Sequence, residues 1–253
     1  MRIRACAVLM CLVATAASAE EIAIVDVADQ WTLSAAVTLS LEDMGLPFDD
    51  LTGDVEGGSL NLSGAVLFII SSMATNNAAV HQGLDDNAQV IQDFVQGGGG
   101  VVIETTQADQ NEANVDWLPT GLTAVRSDPD QAEFTIEEPA HMLFNVPNEL
   151  TDAEFVGWGH QGWPTVWEVF ATLDGFDILA TSAGKNVIGE AAVGSGKYVM
   201  MCIAPDKYAQ VGNDDNTKDM ATLFFQNMVT TYLPQAVSPE GLATTTWADL
   251  RLR

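Results

Sequence analysis

Basic side chains are scarce in this chain. Nine Lys and Arg stand against 35 Asp and Glu among 253 residues, with three His, three Cys and three Tyr. The formal net charge of −26 excludes nucleic acid and anionic membrane surfaces as partners. The acids are scattered, so they read as a solvated surface and not as a disordered acidic block. His81, His141 and His160 have no metal-ligand spacing, so no metal is expected, and no cofactor motif is present. Arg2 and Arg4, the apolar run Ala5 to Ala16 and the small-residue pattern Ala17-Ser18-Ala19 read as a signal peptide over residues 1–19. Its removal takes Cys6 and Cys11 and leaves Cys202, so no internal disulfide is expected in the mature chain. Cys202 lies in the apolar run Tyr198 to Ile203, the setting of a buried, inert thiol. Without Arg2 and Arg4, seven basic residues face 35 acids, a net charge of −28. No other run is long and apolar enough to span a membrane. The chain is therefore expected to be secreted or periplasmic, with its oligomeric state open.

What the sequence does carry is a β-α order. Glu21 to Val27 reads as a buried strand and Trp31 to Met44 as a helix stopped by Gly45 and Pro47. "AVLFII" (Ala65 to Ile70) is a continuous apolar strand, Leu84 to Val95 a helix, and Gly100 to Ile103 a further strand. This order predicts parallel strands with right-handed crossovers. Residues 109 to 162 are irregular, with short strands expected at Gln131 to Ile136 and Ala153 to Val156. Phe176 to Thr181, Asn186 to Ala192 and Lys197 to Ile203, separated by short glycine turns, predict antiparallel hairpins. Thr217 to Leu233 is the closing helix, with Asn216 or Thr217 as its N-cap. The domain is thus expected over residues 20–233, followed by an extended tail over 234–253.

Four glycines, Gly97 to Gly100, sit in "DFVQGGGGVVIETT". A phosphate-binding loop follows a strand and opens a helix. Here a helix comes first and a strand second, so the glycines cap and join. A helix ending in "FVQGGGGVV", the segment "EPAHMLFNVPNEL" (138–150), "GKNVIGEAAVGSGKYVMMCIAPD" (184–206) and "ATLFFQNMVTTYL" (221–233) together resemble the class I glutamine amidotransferase-like superfamily, closest to its ThuA-like and related secreted groups. The resemblance implies a three-layer, flavodoxin-like α/β fold with a mostly parallel central sheet and antiparallel late strands. It also implies positions for a catalytic cysteine and a histidine. Those positions read Glu104-Thr105-Thr106 and Ala204-Pro205-Asp206-Lys207, so glutamine hydrolysis is not expected.

Ligands of open parallel sheets bind at the carboxyl ends of the strands. Those ends carry Asp26, Asp29, Gln30 and Trp31, then Ser71 and Ser72, then Glu104 and Thr105, then Asp206 and Lys207. A second candidate surface is the loop around His160, with Trp158 and Trp163, suited to a sugar or other small ligand. The leading expectation is a non-catalytic binding or accessory protein, linked to carbohydrate use. The alternative is a carboxylate-dependent hydrolase at the carboxyl edge, favoured if Asp26, Glu104 and Asp206 converge. A third expectation gives the tail, with Trp247 and two terminal arginines, a role in docking.

Overall fold

The short apolar runs become the strands of one sheet because both of their faces are covered. The computed structural model describes residues 21–29, 33–105, 115–127, 133–159 and 162–233. Strands β1 (Ile22–Val25), β3 (Leu67–Ile70) and β4 (Val101–Glu104) are buried at every position. Each fully buried Ile, Leu or Phe contributes roughly 1.5–3 kcal/mol. They pair in parallel in the order β1-β3-β4, with the two-residue β2 (Asp49–Asp50) outside β1. Strand β10 (Gly196–Met201) adds to β4 in parallel and turns the sheet antiparallel beyond it. There lie β9 (Lys185–Val193), β7 (Val169–Asp174) and β5 (Thr123–Ser127), with β8 (Asp177–Ser182) on β9 and β6 (Thr135–Ile136) on β8. This ten-stranded mixed sheet matches the expected parallel start and the late hairpins.

The helices depart from expectation in detail. Helix α1 covers Ala36–Met44 and ends on Gly45 at φ 67°; α2 covers Thr52–Glu56. The run expected as one helix over Leu84 to Val95 is two, α3 (Ala78–Asp86) and α4 (Ala88–Gln96). Asn87 separates them, its side-chain amide donating to the Gly83 carbonyl at 2.8 Å. Such a bond competes with the helical ladder. Ala153 to Val156 is not a strand: Asp152–Phe155 forms the short helix α5, opened by a capping box in which Thr151 and Glu154 satisfy each other. Helix α6 (Pro205–Val211) was not expected at all. Helix α7 (Asp215–Tyr232) begins one residue after Asp214, whose side chain accepts from the Thr217 N–H at 2.7 Å. The cap is therefore Asp214 and neither Asn216 nor Thr217.

The glycine run is a joint. Helix α4 stops at Gln96, Gly99 takes the left-handed conformation at φ 72°, and β4 begins at Val101. A Cβ on Gly100 would stand 2.1 Å from the Phe94 ring, so the strand can start this close to its helix only with glycine there.

Candidate active site

Asp26 follows β1, Ser71 and Ser72 follow β3, Thr105 follows β4, and Asp206 and Lys207 open α6 after β10. The parallel register brings these four strand ends together, and Asp26, Ser71, Ser72, Asp206 and Lys207 line one pocket with Asp29 and Ser34. Asp206 is fully buried. Its Oδ2 accepts from the Ser72 N–H at 2.9 Å and its Oδ1 from the Thr105 hydroxyl at 3.3 Å. Burial pushes its carboxyl up to about 6; the bonds from Ser72 lower it and the nearby Asp26 raises it further. Asp26 is also raised above its ordinary value, chiefly by burial, against the bond its Oδ2 accepts from the Thr38 N–H at 2.7 Å. Its backbone is fixed from two sides: Thr52 Oγ1 accepts from the Asp26 N–H at 2.9 Å, and Ser71 Oγ accepts from the Val27 N–H at 3.2 Å. The Lys207 ammonium forms a buried ion pair with Asp29. It also sits 4.6 Å from the centre of the Trp167 ring.

Glu104 does not join this group. Successive residues of a strand face opposite ways, so Glu104 turns from the side that Thr105 faces. It meets Arg126 Nη2 at 3.1 Å, both side chains buried, in a polar pocket with Thr75, His81, Asp85 and Trp117. The Arg126 guanidinium also lies 5.4 Å from the centre of the Phe170 ring. Burial opposes the Arg126 charge, but Glu104, together with Cys202 and Glu168, more than offsets it and its pKa rises. The expected convergence of Asp26, Glu104 and Asp206 is thus reduced to Asp26 with Asp206. Arg126 and Asp29 carried no role in the sequence reading beyond Asp29's place at a strand end. The available signal was rarity: a lone cation in the alternating strand "TAVRS" of so acidic a chain needs a buried partner.

The tryptophan loop divides. Trp158 is buried, stacked 5.5 Å from Phe155, its indole N–H donating to the Glu154 carbonyl at 2.7 Å. Trp163 is 48% exposed. Gln30, Trp31 and His160, and with them Thr106, the signal peptide and the tail, lie outside the described residues. The Cys202 thiol is buried and its pKa is raised by burial, as a core thiol's should be. Among the described residues no group of three or more potential metal ligands occurs, and no helix is long and apolar enough to cross a membrane.

No protein-family model and no curated protein matches the chain. Solved structures do. A β-galactosidase from Rahnella sp. R3 is 16% identical with a TM-score of 0.51, covering 88% of this chain and 33% of its own. A cytoplasmic protein of Salmonella typhimurium LT2 is 13% identical with a TM-score of 0.51, covering 78% and 86%. An exo-β-1,4-mannosidase from Opitutaceae bacterium strain TAV5 is 10% identical with a TM-score of 0.47, covering 86% and 37%. The chain spans about a third of the length of the β-galactosidase. None of these neighbours is described as an amidotransferase or a ThuA-like protein, and this corrects the amidotransferase-like assignment drawn from the sequence. The expectation of a non-catalytic module is corrected with it. A glycosidase stands among the fold's neighbours, and the pocket holds three buried carboxyl groups, Asp26, Asp206 and the Lys207-paired Asp29. What the chain is shown to be is a mixed α/β protein on a ten-stranded sheet, parallel at its centre and antiparallel at one side.

Proposed function

We propose that this chain is a carboxylate-dependent hydrolase, with Asp206 and Asp26 as its acid–base pair and a glycosidic bond as its target. One observation carries the reading: Asp206, fully buried between the ends of β3, β4 and β10, shares one pocket with the buried Asp26, and burial pushes the Asp206 carboxyl up to about 6. Two carboxyl groups in one pocket favour a state with one proton between them. Asp206 then protonates the leaving oxygen, its Oδ2 oriented by the Ser72 N–H. Asp26, held by Thr38, accepts the proton of the attacking water. The substrate class is taken from the glycosidase neighbours. A flavodoxin-like three-layer arrangement is the finer description we propose for the sheet. It is supported by two groups of packed helices, α1 with α6 and α7, and α2 with α3 and α4.

Nitrophenyl glycosides, with aryl ester and phosphodiester controls, test the proposal. Turnover of a glycoside is expected, falling as pH rises through about 6 while Asp206 loses its proton. Asp206→Asn and Asp26→Asn should each lower kcat by roughly 10²–10⁴. A wild-type chain that turns over no glycoside, or variants with undiminished kcat, would overturn it.

A further inference from the structure

We propose that Trp163 is the sugar-stacking platform of the Asp26–Asp206 site, taking the apolar face of one neutral pyranose ring. The inference rests on the hydrolase reading above and names what that site holds. Trp163 is the one tryptophan among the described residues that is half exposed; Trp117, Trp158 and Trp167 are buried. Its ring stands 6.4 Å from that of Trp167 at 48°. Trp167 in turn lies under the Lys207 ammonium, and Lys207 pairs with Asp29 in the carboxylate pocket. One buried indole and one buried cation thus link the exposed ring to the acid–base pair.

The platform is fixed to the same helix as the acid. The Tyr208 hydroxyl donates toward the carbonyls of Trp163 (3.1 Å) and Pro164 and accepts from the Trp167 indole N–H. Asp206, Lys207 and Tyr208 are consecutive, so helix α6 sets the acid, the buried cation and the anchor of Trp163 in one rigid piece. An exposed ring whose backbone is already held gives contact area at little cost in entropy. The ligand class follows from what surrounds it. An indole face carries negative quadrupole charge and attracts the weakly positive C–H face of a sugar. A net charge of −26 disfavours uronates and phosphosugars, which leaves neutral rings.

Calorimetric titration of the full chain with lactose, mannobiose, cellobiose and glucuronate, followed also by tryptophan fluorescence, tests this. Saturable binding of a neutral disaccharide is expected. Affinity should fall about tenfold or more in Trp163→Ala, with part recovered in Trp163→Phe and the circular dichroism spectrum unchanged in both. Wild-type affinity in Trp163→Ala, preference for glucuronate, or no sugar binding by the wild type overturns the platform. If an aryl ester is hydrolysed through Asp206 without any sugar binding, the platform falls and the acid–base pair stands. If sugar binds through Trp163 and no bond is cleaved, the hydrolase reading falls alone.

Discussion

At the residue scale, the raised pKa of Asp206 carries a stability cost. Its folded pKa of about 6 exceeds the ordinary 3.8, so the folded chain keeps this proton where the unfolded chain has lost it. The stabilising contribution is full below about pH 4 and disappears as pH rises through 6. Asp206→Asn removes that penalty and keeps an oxygen that can accept from Ser72. The variant should be more stable than wild type at pH 7.5 by roughly 1–3 kcal/mol, with the advantage gone near pH 4. Chemical denaturation at the two pH values measures it; an equally large gain at pH 4 would refute the assignment. Leu33 belongs to the same picture. It is a non-glycine residue at φ 57°, its N–H bonded to the Asp29 carbonyl at 2.6 Å. Left-handed backbone of this kind costs of order 1–2 kcal/mol and gathers at functional sites.

At the scale of elements, legibility followed burial. β1, β3 and β4 could be read because continuous apolar runs have one explanation, a strand covered on both faces. Helix α6 escaped because "PDKYAQV" shows no apolar stripe; its Asp206 and Lys207 are buried by pairing and not by hydrophobicity. Helix α5 escaped because four residues carry too little periodicity, although the Thr151–Glu154 spacing was its visible signal. The opposite facing of Glu104 and Thr105 was implicit in their adjacency, yet the partner that decides it, Arg126, comes from a strand 22 positions on. A second cross-element junction lies at Glu190 of β9. Lys197 of β10 meets it at 2.6 Å, Tyr232 of α7 donates to it at 2.7 Å, and His141 stands 3.6 Å away. Burial would raise its pKa, but the bonds from His141, Lys197 and Tyr232 outweigh that and hold it at about 2. This contribution is present above the ordinary 4.5 and is lost as pH falls toward 2. Glu190→Gln should therefore lower stability by about 1–2 kcal/mol at pH 7. In thermal melts that deficit should shrink below pH 3; a deficit independent of pH would refute the account.

At the scale of the whole molecule, 35 acids and nine basic residues make the folded chain repel itself. Salt shortens the reach of that repulsion, from about 30 Å at 0.01 M to about 3 Å at 1 M. The melting temperature should rise by several degrees between those two sodium chloride concentrations, and a flat or falling curve would show that the surface charge carries no such cost. The charge was legible in the sequence; its few cations were not seen to be structural. Arg126, Lys197 and Lys207 are each committed to a carboxylate, so screening relieves repulsion while the buried pairs of Arg126 and Lys207 stay intact. Helix α6 also limits how this protein can change. A helix turns by about 100° per residue, and Asp206, Lys207 and Tyr208 each aim at a different neighbour. One residue inserted or deleted before Pro205 would swing the buried carboxyl, the cation and the tether of Trp163 away from their targets in a single step. Descendants of this chain should therefore keep all three together or lose all three together, and length variation should collect in loops elsewhere.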